Sequence, residues 1–202
     1  MKNGTLVTGL FRRLFRKQDG TILMEFAYTF PIILMLLIGG FETFRILLIE
    51  RKVNQTVNAV SNLVSQNEIL PAEMITDTFD AVDNVMAPFD INSGGRVIVS
   101  RFKGTPSGTL ITDQCISGNG IIAESKFGNQ NEYADLENIP GTFTLADDEI
   151  AIVAEVFFRY EPMFVDLSFI FPTNLYQQRQ VYQISVHKPR FGDTDFTEGC
   201  PA

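Results

Sequence analysis

The stretch from Ile22 to Phe41 reads ILMEFAYTFPIILMLLIGGF, 20 residues with one charge among them. As an α-helix it would span about 30 Å, the hydrocarbon thickness of a bilayer. Its single acid, Glu25, sits near the start. Glu42 and Arg45 mark the far boundary, at a spacing that brings them to one helix face. Upstream lie five bases (Lys2, Arg12, Arg13, Arg16 and Lys17) against the acid Asp19, a net of +4 over residues 1–20. Residues 53–202 carry 8 bases and 20 acids, a net of −12. A basic head, an apolar run and an acidic body form the layout of a membrane anchor with a soluble domain. The basic end stays in the cytoplasm, and the chain beyond Phe41 is exported. A buried core helix can be as apolar, but it needs no basic cluster before it. A cleaved secretory signal fits poorly, because the run is too long and no small-x-small site comes after it.

The acidic body leaves no basic face to meet phosphates, which excludes nucleic acid as a partner. Two cysteines, Cys115 and Cys200, lie downstream of the apolar run. In an oxidising compartment they can pair and close a long loop; otherwise they are two buried thiols. There is no Cys-x-x-Cys and one histidine, His187, so zinc is not expected. Nucleophilic catalysis would have to use His187, which reads as a solvent-facing strand residue, and Gly118-Asn119-Gly120 lacks the lysine of a phosphate loop. No enzyme and no cofactor are expected. Asp147-Asp148-Glu149 and the group Asp193, Asp195 and Glu198 read as solvated turns rather than calcium sites, since consecutive acids in a strand point to opposite faces.

An acid inside the hydrocarbon is costly unless paired, so Glu25 reads as functional. Gly20 lies five residues before it, directly after the bases. The run FRKQDG, TILMEF, AYTFPIILMLLIGGFETFR resembles the TadE-like minor pseudopilins of the tight-adherence (Flp) pilus system, a branch of the type IV pilins. The likeness covers residues 16–52, with a weaker echo in VAEVFFRYEPMF (Val153 to Phe164). It implies cleavage by a prepilin peptidase between Gly20 and Thr21, with Glu25 and the aromatic Phe26 serving subunit assembly. It further implies other pilins and pseudopilins and the pilus assembly platform as partners, an inner-membrane location with a periplasmic domain, possible incorporation in the pilus, and adhesion and biofilm formation as outputs. A signal-anchored binding module is the alternative.

The expected organisation is a leader over 1–20, a transmembrane helix over 21–45 and an α+β domain over 46–202. Beyond the membrane the helix continues, because Ile46, Ile49, Val53, Val57, Val60 and Val64 recur at steps of three and four. A second helix is expected from Pro71 to Met86, with Met74, Ile75, Phe79, Val82 and Met86 on its apolar side. Strands are expected at Arg96 to Phe102, Gly120 to Phe127, Ile150 to Tyr160 and Arg179 to Lys188. The stretch Tyr160 to Pro172 is rich in aromatics, either as core or as a docking patch, with Phe169 and Phe171 as its tests. The fold class is therefore α+β: a long N-terminal helix on a small antiparallel sheet, pilin-like.

Overall fold

The computed structural model describes residues 19–138, 143–163, 177–196 and 200. The basic cluster Lys2 to Lys17, residues 164–172 of the aromatic stretch and Glu198 lie outside them. The chain divides into two units, Met1–Phe44 and Arg45–Ala202. Helix α1 (Asp19–Ser65) is followed by α2 (Ala72–Met86), a single turn α3 (Ile91–Gly94), β1 (Gly95–Thr105) and β2 (Gly108–Ser117). A 3-10 turn (Leu136–Asn138), β3 (Ile150–Tyr160) and β4 (Arg179–His187) complete the order.

The second unit is an α+β fold built on one antiparallel sheet of order β2-β1-β3-β4. The stripe Ile46, Ile49, Val53, Val57, Val60 and Val64 is buried throughout. It joins Val97, Val99, Ile152, Val156 and Tyr160 of the sheet in one core. The predicted partner of the amphipathic helix is thus the chain's own sheet. Helix α2 adds Ile75, Phe79, Val82 and Met86 to the same core. Met74 does not join it; it is exposed. Pro71 caps α2 from extended backbone rather than lying in its first turn.

One expected strand is corrected. Gly120 to Phe127 is not a strand, and the missing one is β2. Strands β1 and β2 form a hairpin whose connection is Pro106-Ser107, where the Thr105 hydroxyl donates to the Gly108 carbonyl at 2.7 Å. Gly108 holds a φ of 138°, which a side chain would strain. The segment after β2 crosses the sheet face that α1 leaves open. Its Ala123 packs with Ile98 and Phe157, and its Phe127 with Phe102, Ile111 and Val153. Backbone that lies across a face cannot join the ladder, and the Lys126 N–H donates instead to the Glu155 side chain at 3.0 Å.

Strand β3 is consequently covered on both sides, with only Arg159 short of full burial. Gly104 marks the tightest crossing there: a methyl group at that position would collide with the Ala146 carbonyl.

The C-terminal segment closes the domain as a strap. Arg190 N–H donates to the Ser65 carbonyl at 3.0 Å, satisfying one of the carbonyls left open at the end of α1. Asp195 bridges Ile69, and Phe196 is buried in the main core. Cys200 then bonds to Cys115, with the two Cα atoms 5.0 Å apart at a sequence separation of 85. A loop of that length removes unfolded-state entropy worth about 4 kcal/mol. Cys200→Ser should therefore lower the unfolding free energy of the full chain by roughly that amount, read as a drop in urea midpoint. An unchanged midpoint would mean that the strap holds without its bond.

Candidate functional site

From Gly20 to Leu37 every residue of α1 is exposed. Apolar side chains lie on all sides of this half rather than in one stripe. Leu23, Tyr28 and Leu36 each expose more than 70% of their surface, so nothing within the chain shelters them. A helix of this kind is stable where its surroundings are also apolar. The helix from Gly20 to Ser65 contains a window long and apolar enough to cross a membrane, compatible with a single-pass anchor.

Local chemistry within this half suits such surroundings. The Thr29 hydroxyl donates to the Glu25 carbonyl at 2.8 Å, and the Thr43 hydroxyl to the Gly39 carbonyl at 2.7 Å. Both hydroxyls are satisfied inside the helix, as a water-poor environment demands. Pro31 lies within the helix without ending it. Phe26 stacks with Phe30 one turn on, ring centres 5.4 Å apart.

The Glu25 side chain is exposed, and among the described residues no base pairs with it. Thr21 lies one helical turn before it. A Cβ added at Gly20 would meet no atom within 4 Å, so internal packing does not demand glycine there. At the boundary, Glu42 is fully buried. Arg45 opens the second unit, its guanidinium 6.0 Å from the centre of the Tyr160 ring.

Three members of the acidic groups near the turns are paired with bases. Asp148 meets Lys103 at 2.9 Å, Asp193 meets Arg101 at 2.7 Å, and Glu149 bonds to Lys188. Lys188 and the Ala146 N–H hold the Glu149 carboxyl below the usual glutamate range. Among the described residues no group of acids, cysteines and histidine converges on a cation site.

His187 requires a correction. It is half-buried rather than solvent-facing, and its Nδ1 lies 2.8 Å from the Ser61 hydroxyl and 3.2 Å from that of Ser185. The Ser185 hydroxyl donates to Asn58 at 2.9 Å. A serine beside a histidine resembles a nucleophile pair, but Ser61 exposes no surface, so no substrate reaches it. The cluster is a polar seam joining α1 to β4.

A second polar cluster lies on the opposite sheet face, and the alternation of β3 gave no sign that it would be buried. Glu155 is fully buried. Its carboxyl accepts from the Ser125 hydroxyl, the Lys126 N–H at 3.0 Å and the Tyr182 hydroxyl at 3.0 Å. The Lys126 ammonium sits over the Tyr182 ring, 3.8 Å from its centre. Burial pushes the Glu155 pKa up, against the lowering effect of those three donors. Burial first, then the neighbouring Glu155, raises that of Tyr182.

Family models, characterised proteins and solved structures contain nothing that matches this chain.

A raised carboxyl pKa means that the folded state holds its proton more tightly than the unfolded one. The stability Glu155 contributes is therefore complete below the ordinary glutamate value of 4.5 and is lost as pH rises through the higher folded-state value. Glu155→Gln should flatten the fall in unfolding free energy across that window, measured by urea titrations at several pH values. An unaltered pH dependence would show that Glu155 ionises as an ordinary surface acid.

Proposed function

We propose that this chain is a TadE-like minor pseudopilin that takes part in assembling or priming a tight-adherence pilus, without catalysis of its own. It is made as an inner-membrane precursor with a cytoplasmic basic leader and a periplasmic domain. A prepilin peptidase trims it between Gly20 and Thr21. Its partners are other pilins and pseudopilins and the assembly platform, and through the pilus it supports adhesion and biofilm formation.

The observation that carries this reading is Glu25: a carboxylate in an apolar helix exposed on every side, with no partner of its own among the described residues. A charge in hydrocarbon is tolerated where it finds an opposite one, and an unpaired charge costs far more than a paired one gains. Cutting after Gly20 creates an ammonium at Thr21, within a helical turn of the acid and available to a neighbouring subunit. The helix N-terminus also favours a carboxylate in its first turns. Open space around Gly20 supports the same reading, since a glycine that packing does not require suits recognition by a processing enzyme.

Two measurements test it. The mass of the protein extracted from native membranes should correspond to a chain beginning at Thr21; retention of residues 1–20 favours a plain anchor displaying a binding module. Glu25→Ala should insert into membranes as the unaltered chain does, yet be lost from the assembled pilus machinery. Normal incorporation of the alanine variant would overturn the pseudopilin reading.

A further inference from the structure

Ile122 leaves 96% of its surface exposed, on the segment that crosses the sheet face. A single exposed isoleucine is ordinary on a protein surface. Its surroundings make this one informative. It lines an open groove of about 630 Å³ together with Gly120, Ile121, Arg159 and Arg179. Arg159 also lines a neighbouring groove of about 380 Å³, shared with Arg45 and Phe89. Three guanidinium groups and an exposed aliphatic side chain therefore occupy one end of the domain, where β3 ends and β4 begins.

That end is tied to the membrane by chain length. Arg45 follows Phe41, the last residue of the apolar run, by four positions. Within a helix those positions rise about 6 Å. The groups gathered around Arg45 thus belong to the end of the domain with least freedom to leave the bilayer surface.

Their chemistry fits that place. Arg159 gives Nε to Glu161 at 3.2 Å and Nη2 to the Gly120 carbonyl at 3.2 Å, and Arg179 gives Nη2 to Glu50 at 2.6 Å. A guanidinium has five N–H donors, so these bonds leave others for phosphate oxygens. The side chains of Arg159 and Arg179 remain 40% and 35% exposed. Leu47, on the first turns of α1 within the domain, is 51% exposed as well.

We propose that this end of the domain is a second membrane contact, resting on the headgroup layer of the bilayer that anchors the chain. Ile122 enters the boundary between headgroups and acyl chains, where apolar groups of peripheral segments reach about 5–10 Å deep. Arg159 and Arg179 meet lipid phosphodiesters beside it. The contact would hold the sheet in one orientation against the membrane. The inference rests on the reading of residues 22–41 as a bilayer anchor.

The chain has no tryptophan, so Ile122→Trp places a lone reporter at the contact. Tyr133→Trp, at an exposed position paired with the β1–β2 hairpin, is the reference. Each full chain is reconstituted into phosphatidylcholine–phosphatidylglycerol vesicles with and without brominated acyl chains. The tryptophan at 122 should emit to the blue of the one at 133 and be quenched severalfold more strongly, most by bromine near the headgroup. Equal, water-like emission at both positions with no bromine quenching overturns the contact while leaving the anchor intact. A blue shift at 122 without bromine quenching means that protein covers the loop, and overturns the lipid assignment. Failure of either chain to stay with the vesicles after alkaline washing removes the anchor reading and this inference together.

Discussion

One helix carries two different surface patterns, and the rest of the structure depends on where it changes between them. In α1 the residues up to Leu37 are exposed on every side, whereas from Ile46 onward a single stripe is buried on the sheet. A uniformly apolar helix has no preferred face, so it imposes no rotation on anything it meets. A striped helix has one face and fixes the sheet that covers it. The change in pattern therefore marks where the domain itself begins to supply the helix with apolar neighbours.

Covering that stripe makes β3 a central strand, and a central strand in so small a domain needs cover on its other face. The segment after β2 supplies it. Each interface then carries polar side chains bonded across it within largely apolar packing. On the helix side, small residues make room: Ala154 and Ser185 are register partners on β3 and β4, and Asn58 reaches the Ser185 hydroxyl. On the opposite side Glu155 gathers three donors from the covering segment and from β4. Such groups add little net stability when satisfied and cost a great deal when misaligned. They fix how the layers register, while the aliphatic residues supply the attraction.

This division explains what the amino-acid order revealed and what it hid. The stripe of α1 was legible because valine and isoleucine recur there at a strict helical period with polar residues between them. Strand β3 was legible from end to end because eleven residues, charged only at Glu155 and Arg159, run without a glycine or proline. Strand β2 was not, because Thr112, Asp113 and Gln114 interrupt its apolar pattern and its turn, Pro106-Ser107, lacks the Asn-Gly signature of a tight hairpin. The segment from Gly120 to Phe127 carried the composition of a strand because it is half-buried, yet it lies across a face and has no edge to pair with. Period-2 alternation assigns a residue to a face, but it cannot say whether that face is covered. For that reason His187 read as a residue pointing to water, and nothing in the order of β3 marked Glu155 as buried.

The distribution of charge obeys the same topology. Where β1 ends and β3 begins, acids and bases meet in pairs, Lys103 with Asp148 and Glu149 with Lys188. Exposed pairs of this kind contribute little to stability. They cancel charge locally and leave no concentrated field to draw in a metal ion or an anionic ligand. At the other end of the sheet Arg45, Arg159 and Arg179 crowd around two open grooves, and Arg159 and Arg179 keep donors beyond those their carboxylate and carbonyl partners take up. A domain of net charge −12 over residues 53–202 is repelled by an anionic surface as a whole. At that end the guanidinium groups stand among the carboxylates of Glu50, Asp90 and Glu161, so the local charge is mixed rather than purely acidic.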